Sequence, residues 1–232
     1  MPFFGFDPTI VLLVPAMIFA FWAQWKVQHT YAKYAEIAAS AGITGRQMAQ
    51  AIMNRNGVHD VKIEDVGGVL SDHYDPRARA VRLSEPIGHG ASISSIAVAA
   101  HEVGHVLQHA EGYAPLVIRS AIAPVASIAS MAAFPLFMIG LFFNIPGVSG
   151  LLMDLGILFF SGAVLFHLVT LPVEFDASKR ALAQLTSHGA IAPQEVRGAK
   201  AVLDAAALTY VAAAAMAAVQ LLRLIVLRQS RD

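Results

Sequence analysis

Apolar residues are bunched along this chain, and the bunches set its organisation. Residues 9–25 are uncharged and end in the aromatic group Phe21, Trp22 and Trp25, with Lys26 directly after. No basic leader or small-residue cleavage site accompanies them, so they predict an uncleaved membrane anchor. Residues 122–143 supply 22 uncharged positions and residues 155–173 a further 19. With the turn NIPGVSG between them they predict a transmembrane hairpin, kinked at Pro124 and Pro135. Residues 205–222 add 18 uncharged positions rich in alanine, a composition that favours close packing inside a bundle.

The polar intervals predict the remaining elements. A first helix continues from the anchor to about Ser40, with Gly42 as its stop, and Thr44 caps a second, GRQMAQAIMNRN, closed by Gly57. The run VHDVKIEDVGGVLSDHYDPRARAVRLSEP alternates apolar and polar residues around Gly67-Gly68 and Asp75-Pro76, which predicts a small sheet of two or three strands. Residues 97–113, AVAAHEVGHVLQHAEGY, read as a helix, with Ser92 and Ser94 as N-cap candidates and Gly112 as its stop. In SHGAIAPQE, Gly189 ends one helix and Pro193 suits the first turn of the next.

Composition sharpens this picture. The chain is 56% hydrophobic and only 14% charged, which marks an integral membrane protein. Sixteen basic residues balance sixteen acidic ones, so nothing points to nucleic acid as a partner. The absence of cysteine leaves His, Glu and Asp to hold any metal.

The chemistry is concentrated in HEVGH. On a helix, His101 and His105 lie one turn apart on one face and can offer imidazole nitrogens to a single Zn2+, with Glu102 beside them to take a proton from a water that the metal activates. Zinc needs a third protein ligand. His109 shares the face, but eight residues of rise, about 12 Å, separate it from His101, so it is expected as an outer or interfacial histidine. Asp154, in MDLG, loosely resembles the LDG of site-2 intramembrane proteases, yet the hairpin puts it about 30 Å away across a bilayer. Glu174 emerges on the same side as HEVGH after an even number of crossings, on a helix where Ser178 shares its face and Asp176 points elsewhere as a solvated charge. An oxyanion donor is not marked by any motif. Tyr210 and His167 are candidates, each equally at home as a packing residue. A peptide substrate could lie along an edge strand next to the HEVGH helix, and Arg79, Val81 and Leu83 are the residues proposed to meet it; an ordinary hairpin with solvated arginines accounts for them equally well.

HEVGH followed by a glutamate in EFDAS resembles the gluzincin pattern. More closely, AAHEVGHVLQHAEGY together with LPVEFDASKRA and HYDPRARAVRLSE resembles the YugP-like neutral zinc metallopeptidases, small bacterial membrane proteins. The resemblance implies a zinc metalloendopeptidase with His101, His105 and Glu174 as ligands, Glu102 as general base, and peptides or membrane proteins as substrates. Ser178 stands where the wider pattern has an aspartate that steadies a ligand histidine, and Asp204 is a possible substitute. A non-catalytic membrane scaffold holding structural zinc and a site-2-type intramembrane protease are the alternatives.

The expected architecture is a mainly α membrane protein with about four transmembrane helices and a small α+β region holding the sheet and the HExxH helix. Its parts are an anchor (1–25), a soluble α+β region (26–114), a transmembrane hairpin (115–173), a third-ligand helix and polar connection (174–204), and a last transmembrane helix and tail (205–232). Eight Lys and Arg lie between Lys26 and Arg82 and four between Lys179 and Lys200, against three at Arg223, Arg228 and Arg231. That bias predicts a bacterial inner-membrane protein with its site facing the cytoplasm.

Overall fold

Helices long and apolar enough to cross a membrane account for four of the elements in this computed structural model, which describes residues 8–143, 145–187 and 191–231. After a 3-10 turn at Pro8–Leu13 come α1 (Val14–Ala35), α2 (Gly45–Arg55), β1 (Lys62–Val66), β2 (His73–Asp75), β3 (Ala80–Ser84) and the single turn α3 (Glu85–Gly88). Then follow α4 (Ile93–Ala110), α5 (Ala114–Phe142), α6 (Ser149–Ser187) and α7 (Pro193–Gln229). The chain is a mainly α, multi-pass membrane protein with a small mixed sheet. The expected helix stop at Gly189 and the turn residue Asn144 lie outside the described residues.

Two compact units make up the chain. One takes in Gln24–Val117 and Leu171–Thr209, and its core closes around α4. Ile96, Ala97, Ala99, Ala100 and Val103 of α4 are buried among Met48, Ile52 and Met53 of α2, Val81 and Leu83 of β3, Ala181 and Leu185 of α6, and Val202 and Leu203 of α7. Local chemistry fixes the ends of these helices. Thr44 and Gln47 form a reciprocal capping box at α2, with Gln47 N donating to Thr44 Oγ1 at 3.3 Å and Thr44 N to Gln47 Oε1 at 2.9 Å. Ser92 caps α4, its Oγ accepting from Ser95 N at 3.1 Å. The helix expected to reach Ser40 instead ends at Ala35. Ile37 and Ala39 give their backbone groups to the segment entering α4, with Ile93 N to Ile37 O at 3.0 Å and Ala39 N to Ala91 O at 2.9 Å, and those bonds replace the next helical turn.

Strand order in the sheet is β1-β3-β2, with β1 parallel and β2 antiparallel to β3. This overturns the placing of a substrate along residues 79–84. β3 is the central strand, its backbone groups taken on both sides, and Val81 and Leu83 are fully buried. Arg79 precedes β3 and pairs with Asp60. The free edges belong to β1 and β2.

The second unit takes in Met1–Ala23, Ile118–Thr170 and Tyr210–Asp232. α5 and α6 approach closely at two glycines: a Cβ on Gly140 would lie 2.6 Å from Ser149 O, and one on Gly156 2.8 Å from Ala133 O. At the end of the unit that holds the α5–α6 turn, Arg228 Nε reaches Asp154 Oδ1 at 2.8 Å, Arg231 donates to the carbonyls of Gly140 and Leu141, and Arg223 Nε donates to Thr9 Oγ1 at 3.1 Å. α7 therefore runs the length of this unit.

Candidate metal centre

α4 carries HEVGH on its C-terminal half, where the helical repeat stacks His101 under His105. Their rings are 4.9 Å apart at 84°. Glu174 of α6 meets both: its Oε2 lies 3.3 Å from His101 Nε2 and 3.5 Å from His105 Nε2. The three ligand atoms fall within 4.8 Å of one another, and Glu174 and His105 are buried. A tetrahedral ion with bonds of about 2.05 Å separates its donors by about 3.3 Å. Two imidazole nitrogens and one carboxylate gathered in this way fit zinc in donor type, and the two Glu174 distances are close to the tetrahedral spacing. Among the described residues the group has these three donors, which would leave one position of a tetrahedral ion for a non-protein ligand.

What steadies the ligands was only half visible in the sequence. Ser178, one turn beyond Glu174, lies with Oγ 3.2 Å from His101 Nδ1. His105 Nδ1 lies 3.0 Å from Oε1 of Gln108, a residue the sequence reading passed over, although its i+3 spacing from His105 was the available signal. Asp204 does not substitute for the missing aspartate, because it is exposed and pairs with Lys200 at 2.5 Å. Nor is Asp176 a solvated charge: it accepts from Gln108 Nε2 at 2.9 Å and Arg180 Nε at 2.5 Å. The glycine of HEVGH has its own reason. A Cβ on Gly104 would lie 2.5 Å from Ala177 O, so only glycine lets α4 and α6 come close enough for Glu174 to reach both imidazoles.

Glu102 is buried beside the pair. Burial pushes its carboxyl above the ordinary glutamate range, against the opposing pull of His101 and His105. His109 faces away to β2, where its Nδ1 hydrogen-bonds Tyr74 Oη at 2.7 Å. Asp154, Tyr210 and His167 belong to the other unit. Asp154 pairs with Arg228, while Tyr210 and His167 sit half-buried on α7 and α6 and are not among the three grouped ligands.

An imidazole pair on one helix completed by a carboxylate from a second, in a chain with four membrane-length helices, defines a multi-pass membrane protein with a zinc-peptidase type of site. The chain belongs to the family described as "Putative neutral zinc metallopeptidase", whose model matches residues 9–229. It is 50% identical over 218 residues to the "Putative membrane protease YugP" of Bacillus subtilis (strain 168), an alignment covering 94% of this chain and 95% of that one. No solved structure matches. The family and this relative support a protease function, and the family's description implies zinc.

Proposed function

We propose that this protein is a zinc metalloendopeptidase of the bacterial inner membrane, with His101, His105 and Glu174 holding the metal and Glu102 acting as general base. The observation that carries the reading is the convergence of the three donor atoms beside a buried Glu102. Zinc in this position supplies a Lewis acid that brings the pKa of a water near neutrality and polarises the scissile carbonyl. Glu102 takes the proton from that water as its oxygen attacks the carbonyl carbon. It then passes the proton to the amide nitrogen as the C–N bond breaks, so no covalent acyl-enzyme is needed. Burial favours the first of these transfers, because a carboxylate whose pKa is raised is a better base than an exposed one. Substrates are peptides or membrane proteins presented at the bilayer surface.

A scaffold with structural zinc is disfavoured by the three-ligand set and the adjacent carboxylate, since structural sites close with a fourth protein ligand. A site-2-type arrangement is disfavoured by the pairing of Asp154 with Arg228 and by α4 not being among the helices both long and apolar enough to cross a membrane. The cytoplasmic orientation rests on twelve basic residues in the intervals flanking the site. The opposing three at the chain's end are engaged within their own unit: Arg228 with Asp154, Arg231 with helix-end carbonyls and Arg223 with Thr9. The deciding experiment is substrate trapping with Glu102→Gln. Membrane-associated polypeptides captured by the variant and cleaved by the unaltered protein support the reading, and failure of the unaltered protein to cleave any of them refutes it.

A further inference from the structure

Two runs stand beside the metal ligands without a part in the chemistry above: QHAEGY at the end of α4 and FDASKR beyond Glu174 on α6. Gln108 joins them. It is fully buried, its Nε2 donates to Val173 O at 2.8 Å and to Asp176 Oδ2 at 2.9 Å, and its Oε1 lies 3.0 Å from His105 Nδ1. Those partners force the orientation of the amide. Turned over, it would set its oxygen against a carbonyl and a carboxylate, neither of which can donate. With its two hydrogens committed to α6, the amide offers His105 only an acceptor. His105 must then carry a proton on Nδ1, so that in the neutral ring the lone pair lies on Nε2, the atom that faces Glu174.

Asp176 is braced in turn. Arg180 binds it at 2.5 Å, reaches Glu111 Oε2 at 2.6 Å just past the end of α4, and lies over the Tyr113 ring at 5.6 Å from its centre. His101 is treated differently. Its neighbour at Nδ1 is the Ser178 hydroxyl, which can rotate and both donate and accept, so it imposes no tautomer.

We propose that Gln108, braced by Asp176 and Arg180, is the positioning residue that presets His105 in its metal-binding tautomer before an ion arrives, and that it governs the zinc affinity of the site more strongly than Ser178. The proposal rests on the ligand assignment made above.

Full-length protein in detergent, stripped of metal and titrated with zinc against a chromophoric chelator, provides the test. Gln108→Leu should weaken zinc binding about 10- to 100-fold, as loss of a group that orients a ligand does, and Ser178→Ala should weaken it less. Gln108→Glu sets two carboxylates against each other and should also lose affinity. Adding Asp176→Asn restores a donor facing position 108 while leaving an acceptor for His105, and with Val173 O still opposed by an oxygen the double variant should recover part of the loss. Nitrogen-15 spectra of histidine-labelled, metal-free protein read the tautomer directly: the His105 proton should sit on Nδ1 in the unaltered protein and lose that fixed position in Gln108→Leu. Unchanged zinc affinity in Gln108→Leu, no recovery in the double variant, or an unprotonated Nδ1 on His105 in the unaltered protein would each overturn the proposal. Zinc retained after His101→Ala and Glu174→Ala overturns the ligand assignment as well.

Discussion

Substituting Gly104 by alanine adds one methyl group at the narrowest point between α4 and α6, and the consequences can be worked from the distances. The new Cβ would lie 2.5 Å from Ala177 O and 3.1 Å from its carbonyl carbon and Cα. All three are backbone atoms, so no rotamer relieves the clash. Ordinary contact begins at 3.4 Å, which requires the helices to part locally by about 0.9 Å. Overpacking of this kind costs about 1–3 kcal/mol, while alanine in a helix interior returns about 0.8–1.0 kcal/mol of propensity, so the fold should survive with at most about 2 kcal/mol lost. The site should not survive. Donor distances of 3.3 and 3.5 Å from Glu174 to the two imidazoles would open by several times the roughly 0.2 Å that a metal site tolerates. A displacement near 1 Å lowers catalysis by about 100-fold. Metal analysis after dialysis against a weak chelator, thermal unfolding and peptide turnover together separate the two effects, with Gly162→Ala, where the added Cβ meets nothing within 4 Å, as the control. Full zinc content and normal turnover in Gly104→Ala would refute the role given to the α4–α6 approach.

Other outcomes follow from the same geometry. Glu102→Gln should keep its zinc and fold while losing activity by about 100-fold or more, and near-normal turnover would remove the general-base assignment. Glu174→Ala should lose zinc, whereas Asp154→Ala should retain it because its partner is Arg228; metal analysis of the two purified proteins decides between them. For orientation, single cysteines at Ser71, Val148 and Ser187 in this thiol-free chain can be probed in intact cells with an impermeant maleimide. Val148 is used because Ser149 is buried and bonded to Ile145 N. Only Val148→Cys should label, and labelling at 71 or 187 would invert the orientation.

Features governed by spacing within one element were legible in the sequence. The i, i+4 pair of HEVGH, the caps at Thr44 and Ser92 and the four apolar helices all depend on neighbours a few residues apart, and all stand as read. Glu174 was reachable because counting crossings is arithmetic on the chain. Features that depend on register between distant elements were not. Gln108 meets Val173 and Asp176 across 65 and 68 residues, and no local pattern announces such a contact. The central position of β3 was hidden for the same reason, since alternation marks a strand but is silent on which strands flank it.

One signal for the α4–α6 register was nevertheless present. α6 has 39 residues and so extends about 58 Å, nearly twice the apolar thickness of about 30 Å that a span requires. Glu174 lies 25 residues from its start, roughly 37 Å along, beyond one such thickness. Up to Leu168 the large side chains Leu158, Leu165 and Leu168 are exposed, as lipid-facing residues are, and from Val173 the pattern changes. Val173, Ala177, Ala181 and Leu185 recur every fourth residue and are all fully buried, a narrow stripe of mostly small side chains in which Ala177 meets Gly104 and Ala181 and Leu185 join the core around α4. A stripe that narrow needs a partner that comes equally close, and Gly104 between the two histidines is the residue that allows it. The position of the third ligand is thus set by the seam that begins at Val173, one residue before Glu174 itself, and the bilayer-spanning part of α6 delivers that seam to the site without shaping it.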